Sequence, residues 1–302
     1  MNKKWKKMIG FMAIMMAIVP MMYVCAKEDV VEVASEEQLQ SALANGGNIV
    51  LTNDIEITTP LYASKEIHLD GAGFTILATD AFVNDGGNGS ILAAMNGAEV
   101  ILENIKFDQA KKYGVQAYDG GIVALVGVTI TNSGYGAVLI NGGGLVVFDL
   151  TMENNAYGIE FGKGAFVTNE PAMVMSGTIR GNQVDPFVLA TNDNLGEVVV
   201  ANMKDSEMKL AVDGKKLVLK NTDGTVVATS NEANSGVVVK EEEMEEVVPT
   251  PTPTPDTTPS AKPDTTINEN PNTNDNITTY FGFAIAGVGA LALSSKKVLR
   301  AK

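Results

Sequence analysis

Few side chains in this 302-residue sequence could do chemistry, and each is easily located. There is one histidine, His68, and, ahead of the C-terminal tail, one arginine, Arg180. Two facing carboxylates can cleave a glycosidic bond as acid and nucleophile or base, and an arginine beside acidic groups is an ion pair unless its surroundings say otherwise. The carboxylates Asp70, Asp85, Glu103, Asp108, Asp149, Glu153 and Glu160 are spread along the sequence with no Asp-Asp pair, and they read as lying at different offsets of its repeat. His68 lies between Ile67 and Leu69, so alternation points it outward, and no partner is legible that would complete a triad or metal site. Asn141-Gly142-Gly143-Gly144 reads as turn chemistry, without the Gly-Lys-Ser/Thr of a phosphate loop. The expectation is no catalytic residue, no metal and no cofactor. Tyr113, Tyr135 and Tyr157 stand apart because each precedes a glycine and the three are evenly spaced. Stacked about 4.8 Å apart, they would form an aromatic ladder. Such a ladder is either a platform for sugar rings or a protein partner, or a packing device in a corner. The only tryptophan, Trp5, lies outside this region.

The elements that position these residues repeat. Val100–Phe107 is echoed by Val123–Ile130 and by Leu145–Met152, each followed by a turn and one of the Tyr-Gly pairs. Weaker copies are Ile67–Ile76 and Met173–Ile179. A period near 20 residues marks a solenoid, because one unit cannot bury its own apolar face. Alternation of period two, β-branched residues and Gly/Asn turns favour parallel β coils over leucine-rich repeats. Asn132 and Asn154 fall at matching turn positions, where Asn tolerates left-handed backbone. Ser35 with Gln38 three residues on looks like a capping box opening one short helix, about 35–45, which Gly46-Gly47 ends. Coils then run over about 48–205. Asp213-Gly214 and Asp223-Gly224 punctuate an antiparallel end cap at about 206–240.

The cap helix, Asn48–Ile55 and Leu69-Asp70-Gly71-Ala72-Gly73 carry a resemblance to right-handed parallel β-helix proteins of the pectate-lyase-like type. The resemblance implies an all-β solenoid over residues 27–240. It also implies that a lyase would use a basic residue such as Arg180 with acidic residues holding Ca²⁺, and that a glycosidase would need paired carboxylates.

Both ends of the chain suggest export. Lys3, Lys4, Lys6 and Lys7 precede an apolar run from Met8 to Val24, the layout of a signal peptide at 1–26, cut between Ala26 and Lys27. Cys25 as a lipidated residue is a poorer alternative because Val24 precedes it. Removal of the signal takes away the only thiol and, with it, disulfides and Cys nucleophiles. Residues 241–269 begin with the acidic run Glu241–Glu246 and continue with prolines at alternate positions from Pro249 to Pro255, then Pro259 and Pro263. These favour an extended, disordered stalk of about 3.1 Å per residue.

The final segment, 270–302, comprises Asn270-Pro271-Asn272-Thr273-Asn274, an apolar stretch at 280–293 and a basic tail at 294–302 with Lys296, Lys297, Arg300 and Lys302. It resembles a cell-wall sorting signal of Gram-positive bacteria, of the Asn-Pro-x-Thr-Asn type. The resemblance implies a sortase that cuts after Thr273 and passes it to a peptidoglycan precursor. At about 1.5 Å per residue the apolar stretch spans only about 21 Å, short of a bilayer core of about 30 Å, which suits a transient membrane segment better than a permanent anchor. The net charge is −14, and losing both basic ends makes the remainder more acidic still. Such a surface repels phosphates, which excludes nucleic acid as a partner. The expectation is a secreted surface protein of the cell wall, with an adhesive or structural head that meets an unknown glycan or host protein. The alternative is a wall-tethered polysaccharide lyase or glycoside hydrolase. Replacing Thr273 by Ala should move the protein from the wall fraction to membrane and medium. Unchanged attachment in fractionated cells would rule out the sorting signal.

Overall fold

The computed structural model describes residues 30–83, 89–181, 186–190, 194–234 and 238–242. The signal peptide with Ala26 and Lys27, Asp85, the stalk beyond Glu242 and the motif Asn270–Asn274 lie outside the described residues. No helix among the described residues is long and apolar enough to cross a membrane.

The chain builds a parallel β-helix from a 13-stranded and a 6-stranded sheet, closed by a 3-stranded antiparallel sheet. The large sheet has two arms. One contains Val30–Val33, Gly47–Leu51, Ile67–Asp70, Glu99–Glu103, Ile122–Val126 and Glu197–Asn202; the other contains Ile55–Ile57, Thr75–Ala78, Lys106–Asp108 and Val128–Thr131. The long strands Gly144–Glu153 and Ala172–Gly181 run through both arms. The 6-stranded sheet is the third wall, made of Leu61–Ala63, Leu92–Ala94, Val115–Tyr118, Gly136–Asn141, Tyr157–Gly162 and Phe187–Leu189.

Alternation sets which side chains fill the interior. Leu69, Leu102, Leu125 and Val147 are register partners in successive coils and all are fully buried. Val128 pairs with Leu150 and Leu150 with Ile179, and Ile105 is buried beside them. Each such residue contributes about 1.5–3 kcal/mol on burial. The repeats Val100–Phe107 and Val123–Ile130 each break into two strands, because Asn104 (φ 47°) and Gly127 (φ 64°) take left-handed backbone at the corner. Leu145–Met152 stays continuous, and Gly177 passes beneath Phe148 where a Cβ would strike the Phe148 carbonyl oxygen. Gln109, Asn132 and Asn154 (φ 56–59°) repeat the left-handed turn at the next corner.

Both ends are partly closed by the chain's own residues. The helix α1, Glu36–Asn45, buries Leu39, Ala42 and Leu43 over the first coil. Ser35 Oγ accepts the Gln38 N–H (3.3 Å), while Gln38 Oε1 accepts the Ala34 N–H (2.8 Å), one residue short of the expected reciprocal cap. At the other end Met208–Asp213, Lys216–Asn221 and Val226–Thr229 form the antiparallel sheet, with Leu210, Leu217 and Leu219 turned into the core. Two differences from the sequence reading stand out. Val30–Val33 adds a strand ahead of the helix, and Val238–Glu242 returns to pair in parallel with Glu197–Asn202. The β-helix therefore resumes after its end cap and continues past residue 240.

Leu150→Asp would bury a carboxylate without a partner, a cost of several kcal/mol, and should unfold the head. Thr151→Asp, one residue on and half-buried, should be mild. Thermal unfolding followed by circular dichroism distinguishes the two, and equal tolerance would contradict this register.

Candidate functional site

The three tyrosines gather where strands of the six-stranded sheet begin, Tyr157 opening Tyr157–Gly162 and Tyr113 and Tyr135 just ahead of Val115–Tyr118 and Gly136–Asn141, but not as a ladder. Tyr157 is the register partner of Gly136 rather than of Tyr135. A Cβ on Gly136 would sit 2.9 Å from the Tyr157 ring, so the glycine leaves the room this ring occupies. Tyr113 then meets Tyr135 edge-on, with centroids 5.9 Å apart and planes at 90°, and meets Tyr157 at 6.4 Å and 66°. The Tyr-Gly pairs are evenly spaced in sequence, yet the coils do not align them. The expected stack is corrected to a knot of perpendicular rings.

Glu160 ties the knot. Its Oε2 accepts the Tyr113 hydroxyl at 2.6 Å and the Tyr157 hydroxyl at 2.8 Å. Two acceptances at one oxygen bring the phenol oxygens to 3.2 Å from each other. Burial, aided by the adjacent carboxylate, pushes the Tyr113 phenol far above its ordinary range. Tyr157 is raised chiefly by burial, with Glu160 adding and the Tyr113 hydrogen bond opposing, up to about 12. Both phenols are therefore fixed as donors and neither is poised as a base. Tyr135 is different: it is 48% exposed, and Lys112 Nζ lies 5.8 Å from its ring centroid. Nearby, Gln116 is buried and accepts the Ser90 hydroxyl at 3.1 Å. Of the three tyrosines the geometry leaves one ring accessible, flanked by a cation, on a rigid base.

The remaining sequence candidates separate into distinct places. Arg180 pairs with Asp149, which also accepts the Thr178 hydroxyl at 2.7 Å, on the partly exposed second arm. Asp108 receives Thr131 Oγ1 at 2.8 Å, Asn132 Nδ2 at 2.7 Å and Lys106 Nζ at 3.0 Å. Burial pushes its carboxyl up, but the bonds from Asn132, Lys106 and Thr131 outweigh this and hold it below its usual value. Glu153 is exposed and pairs in register with Thr131.

His68 does point outward, between buried Ile67 and Leu69, but it is not without a partner: Nε2 lies 2.9 Å from Glu103 Oε2. Glu103 is in turn the register partner of Asp70. The expectation that the carboxylates share no coil offset is thus corrected for this pair, and also for Asp108 and Glu153, which stand in register with Thr131 from either side. The step in sequence from Asp70 to Glu103 is longer than the repeat and breaks the spacing that would have revealed their pairing. Asp70 Oδ1 is taken by the Ala72 N–H at 2.8 Å. No group of three or more His, Cys, Asp or Glu suited to a metal occurs among the described residues.

Residues 42–184 match the family model described as a right handed beta helix region. Together with the parallel sheets this defines the head as an all-β, right-handed parallel β-helix. No curated protein and no solved structure matches the chain.

The raised Tyr157 phenol gives a signed pH dependence. A group whose folded pKa lies above its unfolded value of about 10 stabilises the fold fully below that pH. That contribution should fade from about pH 10 upward and be gone once pH passes about 12. Tyr157→Phe should remove the tyrosinate component near pH 12 at 295 nm, leave the still later one of Tyr113, and lessen the alkaline fall in melting temperature; a component near pH 12 that persists at full amplitude would refute the Glu160 contact.

Proposed function

We propose that this chain is a secreted surface protein whose β-helix head is displayed on the Pro/Thr stalk, joined to the cell wall through Thr273, and used for binding or surface structure rather than catalysis. The observation that carries the binding role is the accessible Tyr135 ring on its Tyr113–Tyr157–Glu160 base. An aromatic face with a neighbouring ammonium suits the apolar face and hydroxyls of a sugar, or an acidic protein surface. The polar groups around it are engaged in internal hydrogen bonds, whereas acid–base catalysis needs a group free to reach the transferring proton. Two terminal signals and the proline-rich spacer support display outside a Gram-positive cell, with a sortase and the peptidoglycan precursor as processing partners.

A second reading, a wall-tethered lyase or glycoside hydrolase, draws on the His68–Glu103 contact with Asp70 in the neighbouring coil. One preparation tests both. The full chain should bind members of a glycan and host-protein array, and Tyr135→Ala should weaken that binding about tenfold, the loss of roughly 1.4 kcal/mol expected for one exposed aromatic contact. It should release no unsaturated or reducing ends from pectate, alginate or other uronans, with or without Ca²⁺. Turnover abolished by Glu103→Gln or Arg180→Ala would replace the binding role with the enzymatic one.

A further inference from the structure

The two ends of the solenoid differ in charge and share an exposed apolar feature. From residue 30 to 66 the chain carries Glu32, Glu36, Glu37, Asp54, Glu56 and Glu66, with Lys65 the single basic residue. Glu36 is spent inside, accepting the Thr58 and Thr59 N–H groups, but Glu32, Glu37 and Glu56 are exposed. On this rim the edge strand Val30–Val33 leaves Val30 38% and Val31 47% exposed. Val31 belongs by register to the inward column above Ile49, so among the described residues it is the exposed top of that column.

The opposite end has the reverse charge on its outer face. In the antiparallel sheet Lys209 is directly opposite Lys220, and Asp213 opposite Lys216. Because Leu210 and Leu219 face the core, Lys209 and Lys220 face away from it. Like charges directly opposite on one face destabilise a sheet. Among the described residues neither Lys209 nor Lys220, nor Lys216, has an acidic partner within ion-pair distance. Beside them the edge strand Val226–Thr229 exposes Val226 (53%) and Val227 (48%). In a strongly acidic chain, this face sets three lysines against one carboxylate, Asp213, next to an apolar edge.

We propose that heads associate end to end, with the Lys209–Lys220 face and Val226-Val227 of one copy receiving Glu32, Glu37 and Val30-Val31 of the next. The second copy is favoured as occupant because the same molecule supplies both complementary halves, charge against charge and valine pair against valine pair. Glu241, on the neighbouring strand Val238–Glu242, repels the acidic rim and so confines the contact to the antiparallel sheet. The two patches lie on opposite ends of one solenoid, so the contact is heterologous and extends into strings rather than closing as a dimer.

The test is sedimentation velocity of the full chain, held in a non-ionic detergent so that its apolar segments stay dispersed. At low ionic strength the average mass should rise with concentration, and it should fall to one copy per particle near 0.5 M salt, where a Debye length of about 4–5 Å screens exposed charges. K209E/K220E should weaken association at least tenfold, as should E32K/E37K, with circular dichroism unchanged. Mixing the two variants should restore it, because each supplies the other's missing complement. A mass that never changes with concentration, or association that survives both variants, would overturn the proposal. So would a wild-type chain that stays single while K209E/K220E loses retention on polyphosphate, since the lysine face would then belong to a phosphate polymer.

Discussion

Every part of this head depends on one constraint: a single coil of about twenty residues cannot shelter its own apolar residues, so each coil must have a neighbour above and below. Backbone ladders supply the pairing and inward columns supply the free energy. The column Leu69, Leu102, Leu125 and Val147 illustrates the dependence, since each side chain is fully buried only because its register partners are in place. A change in one coil's length between the ladders is tolerated, as the long step in sequence from Leu69 to its register partner Leu102 demonstrates, whereas a slip of one residue inside a strand would turn a whole set of leucines outward.

The same constraint makes the ends costly, and side-chain amides help to close them. Asn231 donates to the Leu189 carbonyl at 2.8 Å and accepts the Leu189 N–H at 2.7 Å, imitating the next strand at the last turn of the third wall. Asn202 does the same for Leu210 with both bonds at 2.7 Å, tying the antiparallel sheet to the final coil. Within the stack, Asn155 links the Ser133 N–H to the Ile130 carbonyl, each at 2.9 Å. An unpaired edge recruits other chains, and these amides, the helix α1 and the antiparallel sheet blunt the edges of the second and third walls. Among the described residues, nothing pairs with the outer edge of the strand Val30–Val33.

The fold was largely legible in the residues, and the reason is local. Period two in Val123–Ile130, turn residues such as Asn132 and Asn154, and the Ser35 cap all act within a few residues, so they read correctly in isolation. The site was less legible because its contacts depend on how coils align. Even spacing of Tyr113, Tyr135 and Tyr157 suggested a ladder, yet Gly136 was the informative residue, since it pairs with Tyr157 and makes room for its ring. The Asp70–Glu103 pairing was hidden by the long intervening coil. Val238–Glu242 was hidden by the antiparallel sheet that interrupts the repeat, since nothing in a Val-Val-Lys-Glu-Glu segment reveals that it rejoins a ladder begun forty residues earlier.

The alignment of coils also explains why binding and catalysis make different demands on such a wall. Identical backbone spacing places side chains at fixed intervals, which favours broad contacts made by several weak elements. Catalysis instead requires two or three groups to converge at one point, with at least one left free of internal hydrogen bonds. Around Tyr113 and Tyr157 the convergent group, Glu160, already accepts two phenols, so convergence here rigidifies the face. Around His68 the convergence is of the other kind: an imidazole and two carboxylates on adjacent strands, of which Asp70 is partly committed to the Ala72 turn. The two outer faces of one solenoid thus embody the two alternatives. Tyr135, exposed beside a knot of internally bonded phenols, is the element on which the proposed binding role rests.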